Sequence, residues 1–467
     1  MNQEDILSGK AGLEGLQWLL NGPSSRRRLR SGVQGMLREG YRAGPFHLTR
    51  AKFKPERKLS AYFNFLVANS ADPGGHLVHF AAAWQKGLDA TNRPEDWVRL
   101  QEEADRCGLM PVQSELWRED SDQGLKLQVW PFDPKFPQLV RLGTPSHVAG
   151  MFASLGLTHD PKQEPVVTPI RYRPGERHVL RYEISSPETV PGQERRLYAK
   201  LYANAQDAER AFGVAIRVVD WLASNNQELQ GNRPEAVSAE DGVIFYPHAH
   251  GIPLSHQLHR SPRWLATQLK IIGRTLATLH GGPETLQHGL KQNDFTKEAK
   301  VVKRASEHIQ VLLPGTYDKI VSIVDEAQER YSRLPQEDPT FTHSDFKSDH
   351  LLTTRQGLTL IDFDTCTLTD PALDIGKFLA DLEWWFTLEG ISGVEEAQGE
   401  LLNGYLGARA SDQTLQDRLR RARLFHALIL VKIVVRRVPI YRKEWATKTD
   451  RLIERAGQVL RQATIET

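Results

Sequence analysis

From Trp264 the apolar residues fall at helical spacing, and this continues towards the C-terminus with one short β-rich island, Phe341 to Leu368. The stretch WLATQLKIIGRTLATLH is amphipathic, and so are segments near 300–331 and 414–435. Ahead of Trp264 the pattern is different. Asp5 to about Gly40 reads as helix, with Leu13, Leu16, Leu19 and Leu20 as an apolar stripe, and short β-like runs follow at Thr49–Phe65 and Thr168–Ile184. A β-rich part followed by a helix-rich part predicts an α+β architecture with segregated lobes, not alternating βαβ units. At 467 residues the chain has room for two to four domains and can bury a substantial core without disulfides or structural metal.

Composition narrows the function classes. Only Cys107 and Cys366 occur, far apart, which excludes a disulfide framework or a cysteine zinc site built from that pair. The segment MNQEDILSGK lacks the pattern of a signal peptide. The longest apolar stretch, Phe425–Val435, is interrupted by His426 and Lys432 and falls short of the ~20 residues of a membrane helix. The expectation is a soluble, cytoplasmic protein without a membrane partner. Net charge is +2, so any electrostatic message is local. Ser24–Lys58 holds eleven Lys/Arg against Glu39 and Glu56, but no RNA-binding signature accompanies it, and a solvated face is preferred over a nucleic-acid surface.

The β-rich part carries an ordered internal repeat. KFKPERKLSAYF, from Lys52, parallels RYRPGERHVLRY, from Arg171, with Gly175 treated as an insertion; VWPFDPKFP, from Val129, parallels FYPHAHGIP, from Phe245. The offsets are 119 at Pro55/Pro174 and 116 at Trp130/Tyr246. Two matches in the same order favour duplication over chance recurrence of basic-aromatic-proline runs. On this alignment Phe80 stands where Lys200 stands, and the first copy is a non-catalytic cap.

The chemistry is concentrated in FTHSDFKSDHLL, from Phe341, and LTLIDFDTCTLTDPALDIGKFLADL, from Leu358. Leu351–Leu352 and Leu358–Ile361 read as two strands joined at Thr353–Gly357. Such a hairpin brings Asp345 and Asp362 together at one end, an arrangement suited to divalent metal and phosphate chemistry. A lone aspartate here would be read as a turn cap; the ordered set of His343, Asp345, Lys347, Asp362, Asp364, Asp370 and Asp374 is not.

This set resembles the catalytic core of the aminoglycoside phosphotransferase and choline kinase-like superfamily, relatives of the protein kinases. That family carries H-G-D-x-x-x-x-N, then I-D-[FW]-[DE], then G-D-P-x-x-D-[LI]. Here the counterparts are His343-Ser344-Asp345, Ile361-Asp362-Phe363-Asp364, and Asp370-Pro371 with Asp374-Ile375. The resemblance implies a bilobal protein-kinase-like fold, ATP and Mg²⁺ as cofactors, and a small-molecule hydroxyl acceptor. It assigns Asp345 to the acceptor hydroxyl, Lys347 to charge on the transferring phosphoryl group, Asp362 to the metal, His343 to loop support and Asp374 to bracing the loop through backbone hydrogen bonds. The family's Asn is replaced by His350, which serves as a metal ligand or packs behind the loop; imidazole matches Mg²⁺ poorly.

For the nucleotide side, the resemblance makes Lys200, within the strand-like RRLYAKLYAN, the lysine at the α/β-phosphates, with Glu209 as its ion-pair partner. The turn Arg173–Arg177 is read as covering the phosphates, with Arg177 counted among the nucleotide-binding residues. Val243–Pro247, including Tyr246, is read as the strand leading to the adenine site. His280 is read as structural, and Trp384-Trp385 as core packing in preference to an acceptor platform. Four segments are expected: a helical stretch 1–40, a cap 41–145 read as a degenerate N-lobe copy, a nucleotide-binding lobe 146–250 and a helical lobe 251–467. The expected activity is ATP-dependent phosphorylation of a sugar, amino alcohol or aminoglycoside-like hydroxyl. Maltokinase-like sugar kinases also carry an N-terminal cap, which tilts the acceptor towards a sugar or polyol. The competing class is a catalytically impaired, nucleotide- or partner-binding module, favoured by His350.

Overall fold

The computed structural model describes residues 2–465 apart from 73, 87–93, 123, 158–159, 161, 186–193, 226–227, 356 and 409–412. The chain divides into two compact units. One is Met1–Glu209 with Glu235–His248 and Pro439–Lys443; the other is Arg210–Pro234 with Ala249–Val438 and Glu444–Thr467.

Between Gln3 and Pro247 one order of elements occurs twice: short helices ahead of a five-stranded sheet, with a helix after its third strand. Helices α1 (Gln3–Ser8), α2 (Gly12–Asn21) and α3 (Pro23–Gln34) precede strands β1 (Arg42–Lys54), β2 (Lys58–Ala68) and β3 (His76–Gln85), helix α4 (Glu95–Arg106), and strands β4 (Trp117–Asp120) and β5 (Leu125–Val129). Then α5 (Gln138–Gly143) and α6 (Pro145–Ser154) precede β6 (Val166–Arg173), β7 (Arg177–Ile184), β8 (Arg195–Leu201), α7 (Ala205–Asn225), β10 (Ala236–Ser238) and β11 (Val243–Pro247). The strand orders are β1-β2-β3-β5-β4 and β6-β7-β8-β11-β10, antiparallel throughout.

The two sheets also agree in four matching buried positions, although β2 buries Ser60 and Tyr62 of its other face as well. Leu59, Ala61, Phe63 and Phe65 are buried on β2, and His178, Leu180, Tyr182 and Ile184 on β7. Both β-hairpins have three-residue tips, Lys54 pairing Lys58 and Arg173 pairing Arg177. Glu56 (φ 60°) occupies the left-handed place that Gly175 (φ 73°) fills in the second, so Gly175 is a substitution and not the insertion expected from the sequence. At the β4–β5 turn the Gly124 carbonyl accepts from Gln85 N (2.9 Å); at β10–β11 the Gly242 carbonyl accepts from Tyr202 N (2.8 Å).

Register corrects the lysine alignment as well. Ser60 pairs Ala83 and Ala83 pairs Lys126; Val179 pairs Lys200 and Lys200 pairs Ile244. Ala83, not Phe80, therefore holds the place of Lys200, and Gln128, not Trp130, that of Tyr246. The physical cause lies in the connections: Ser60 to Ala83 spans two residues more than Val179 to Lys200.

The second unit is mostly helical. Three-residue strand β9 (Leu229–Gly231) joins β12 (Ile252–Pro253), β15 (Leu351–Thr353) and β16 (Leu358–Leu360) in the order β12-β15-β16-β9. A second small sheet runs β13 (Lys291–Gln292), β17 (Thr367–Thr369), β14 (Thr340–Thr342). Helices α8 (Pro262–His280), α9 (Phe295–Ala305), α10 (Glu307–Leu312), α11 (Pro314–Arg333), α12 (Ala372–Glu389), α13 (Val394–Gly407), α14 (Gln413–Arg437) and α15 (Trp445–Ile465) complete it. Ser261 and Asp294 start α8 and α9 by accepting the Trp264 and Lys297 amides.

Helix α12 is buried from Ala372 through Trp384, and the charged residues in that stretch, Asp374, Lys377, Asp381 and Glu383, each have a polar partner. It packs closely on α14 because Gly376 has no side chain: a Cβ there would lie 2.5 Å from both the Ala422 oxygen and the Phe425 Cβ. Among the described residues no helix is long and apolar enough to cross a membrane.

Candidate active site

The site is assembled on the loop between β14 and β15, the β15–β16 hairpin, and α12. In the hairpin Leu351 pairs Leu360 and Thr353 pairs Leu358, which sets Asp345 and Asp362 at its open end. One ligand atom each from Asp345, His350 and Asp362 lies within 4.8 Å of the others. Three described non-glycine residues have left-handed φ, and two of them, Ser344 (58°) and Asp362 (71°), are here. Such conformations persist only where surrounding bonds impose them.

Those bonds are visible. Asp374, 1% exposed, accepts the His343 amide at 2.7 Å on one oxygen and the Ser344 amide at 2.7 Å on the other. His343 is wholly buried; its Nδ1 accepts the Asp345 amide (3.3 Å) and its Nε2 donates to the Ile361 carbonyl (3.2 Å). That single imidazole ties the Asp345 loop to the strand entering Asp362. His280 joins the same network through Tyr405 (2.9 Å) and Asp374 (3.4 Å). Lower down, Asp381 accepts the Ser348 amide at 2.8 Å, and burial pushes its carboxyl up.

Asp345 sits between two ammonium groups. Lys377 Nζ is 2.6 Å from Oδ1, and Lys347 Nζ is 2.7 Å from Oδ2. Burial alone would raise the carboxyl, but Lys377 first, and Lys347 with it, hold it well below the usual carboxylate range. Asp345 is thus an anion with both oxygens oriented. The sequence reading did not assign Lys377, although it lies three residues after Asp374 and Asp381 lies seven after it, spacings that put all three on one helix face.

His350 is pushed down to about 3 by burial, against the pull of Asp362 and Asp345, and so is neutral. Its Nδ1 is 3.0 Å from the Asp345 carbonyl and its Nε2 is 3.3 Å from Asp362 Oδ2. With one proton on the ring, one nitrogen lone pair must face an oxygen. A cation relieves that mismatch, so the donor set fits a divalent ion bound chiefly through carboxylate oxygen.

The expected nucleotide residues lie in the first unit. Lys200 on β8 has its Nζ 5.2 Å from the ring centre of Tyr246, which is buried on β11. Glu209 is exposed on α7, and Arg177 is exposed at the start of β7 opposite Arg173. Trp384 is buried in the core of its unit.

A carboxylate held between two lysines, beside a cation-ready pair at the end of a short hairpin, suits phosphoryl transfer. Residues 185–420, just over half of the chain, match the model of the phosphotransferase enzyme family, and the chain belongs to that family. The α+β fold is accordingly kinase-like. Solved structures similar to it include the GDP and kanamycin complex of APH(2")-IIia, 14% identical with a TM-score of 0.45, the match covering 66% of this chain and 98% of that one. Choline kinase from Cryptosporidium parvum Iowa II is 13% identical with a TM-score of 0.47, covering 69% and 96%. A spectinomycin phosphotransferase, APH(9)-Ia, in complex with ADP and spectinomycin is 13% identical with a TM-score of 0.43, covering 68% and 98%. No curated protein matches the sequence.

Proposed function

We propose that this protein transfers the γ-phosphate of ATP to a hydroxyl of a small molecule: a sugar, an amino alcohol or an aminoglycoside-like compound. The observation that carries the reading is the gathering of Asp345, His350 and Asp362 within 4.8 Å, with Lys347 and Lys377 on the Asp345 carboxylate. Asp345, already ionised, accepts the hydrogen bond of the incoming hydroxyl and aims its oxygen. Lys347 is placed to exchange its contact with Asp345 for the transferring phosphoryl group, while buried Lys377 keeps the carboxylate oriented. Asp362, with His350, is the holder of Mg²⁺; the ion would supply charge neutralisation at the phosphate oxygens. Lys200 is assigned to the α/β-phosphates and the Val243–Pro247 strand to the adenine. The first sheet, with Ala83 in the place of Lys200, is a degenerate copy of the nucleotide-binding sheet and holds no nucleotide of its own. The expected setting is cytoplasmic.

The test is acceptor-stimulated ADP production across sugars, amino alcohols and antibiotics, with three variants. Asp345→Asn should keep ATP affinity and lose about 10²–10⁴-fold in turnover. Lys200→Ala and Asp362→Asn should each weaken Mg·ATP binding in calorimetry. Wild-type ATP affinity in both would sink the nucleotide assignment. ATP binding without ADP production for any acceptor would favour the impaired-kinase reading that His350 invites.

A further inference from the structure

The tip of the β6–β7 hairpin is held from outside its own sheet. After β5 the chain runs through Phe132, Asp133 and Lys135, and each of these bonds to β6, β7 or the turn between them. The Gly175 amide donates to Asp133 Oδ2 at 2.7 Å, and His178 Nε2 donates to the same oxygen at 2.7 Å. Asp133 is 2% exposed and His178 wholly buried, so this is an interior junction and not a surface contact. The other Asp133 oxygen accepts the Lys135 amide (3.0 Å), which fixes the carboxylate. Tyr172 donates its hydroxyl to the Phe132 carbonyl (2.6 Å), and Lys135 Nζ reaches the Gly175 carbonyl (3.2 Å). From β1, Lys52 pairs with Glu176 at 2.6 Å.

The first hairpin shows the same device in simpler form. Glu56, in the position equivalent to Gly175, donates its amide to the Leu7 carbonyl at 2.9 Å. In both sheets, then, the chain ahead of the sheet caps the amide at the hairpin tip. Only in the second is the acceptor a carboxylate, and hydrogen bonds to an ionised acceptor are roughly twice as strong as neutral ones.

The held hairpin is also strongly cationic. Arg171, Arg173 and Arg177 lie on it, and Arg50, Lys52 and Lys135 come from the first sheet and the segment that follows it. Burial, then Arg50 and Arg171, pushes the Arg173 guanidinium down to about 10. Cations crowded this way are relieved by a polyanion.

We propose that Asp133 is a positioning residue: it clamps the Gly175 turn from the first sheet's side and fixes the cationic hairpin where the phosphates of the nucleotide are received. The role rests on the nucleotide reading above. It gives the extra sheet a task that needs no ligand of its own. Without the clamp a hairpin tip is among the first parts of a sheet to open, and a nucleotide would have to order it on binding.

The experiment measures Mg·ATP affinity by calorimetry and hydrogen exchange across residues 172–178 in the full-length chain. Asp133→Ala should speed exchange there and weaken ATP binding about tenfold. Asp133→Asn, which keeps a carbonyl acceptor, should recover part of both. The Lys52→Ala/Lys135→Ala variant removes the solvent-side contacts and two of the crowded cations, so it should fold with an unchanged unfolding midpoint and bind ATP about threefold more weakly through lost charge; Asp133→Asn decides the matter if Asp133→Ala does not fold. Wild-type ATP affinity in every folded variant overturns the clamp while leaving the nucleotide reading intact. No ATP binding by the wild-type protein overturns the nucleotide reading, and this role with it.

Discussion

Asp374→Asn is an isosteric change at a point where the loop carrying Asp345 hangs from one side chain. Each Asp374 oxygen takes one backbone N–H, from His343 and Ser344, both at 2.7 Å. The amide keeps one acceptor and turns an NH₂ towards the other buried N–H. Stranding that donor costs about 1–3 kcal/mol, and replacing a charged acceptor by a neutral one at the remaining bond costs about 1 kcal/mol more. The sum is about 2–4 kcal/mol at a site 1% exposed, where water cannot substitute. Ser344, held at φ 58°, is then free to relax towards ordinary backbone, and Asp345 moves with it. A displacement near 1 Å at a reacting group costs about 10²-fold in rate. The assay pairs hydrogen exchange of residues 340–353 with steady-state turnover. Faster exchange in that loop together with a turnover loss of about 10²-fold is the expected outcome. Wild-type exchange and wild-type turnover in the Asn variant would refute the argument that Asp374 imposes the loop conformation.

Three further outcomes follow from named contacts. Lys377→Met should leave Asp345 oriented by Lys347 alone and lower kcat by about tenfold with little change in ATP affinity; an unchanged kcat would remove Lys377 from the site. Gly273→Ala should destabilise by about 1–3 kcal/mol in thermal unfolding, because a Cβ would overlap the Leu401 carbonyl and lie 2.7 Å from Tyr405 N where α8 crosses α13; a variant as stable as wild type would mean that the crossing can widen freely. His426 is buried and pushed down to about 3 by burial, then by Arg455 and Arg423, so below about pH 6.5 the unfolded imidazole takes a proton that the folded one refuses. His426 should therefore contribute about 1.4 kcal/mol per unit to the loss of stability as pH falls from about 6 to about 4.5, beside the like contributions of buried His308 and His350, and His426→Gln should lessen the slope by that amount; equal slopes in urea titrations would contradict the buried neutral state.

The residues gathered around Asp345 were legible in the sequence because their placement is a local matter. Asp345, His350 and Asp362 are joined by one short hairpin, and once Leu351 faces Leu360 their side chains meet within 4.8 Å. The β-like runs at Thr49–Phe65 and Thr168–Ile184 were legible for the same reason, since composition and spacing within a strand need no distant partner to be read. Lys377 was not. It enters the site because α12 is laid against the loop by Asp374 and Asp381, contacts made across 30 residues or more of chain. Nor could the sequence set the register of the two sheets. Matching Trp130 with Tyr246 is two residues from the observed pairing of Gln128 with that position, and a slip of two keeps every side chain on its face. Alternation cannot detect such a slip. Only the summed hydrogen bonds of five strands decide that Gln128 and not Trp130 holds the place of Tyr246; Ala83 lies three residues from Phe80, one because Gly175 is a substitution and two because the β2–β3 connection is longer. The clamp by Asp133 is of the same kind: a single carboxylate 42 residues from Gly175 has no signature in sequence, and it acquires its partners only when one sheet is packed against the other.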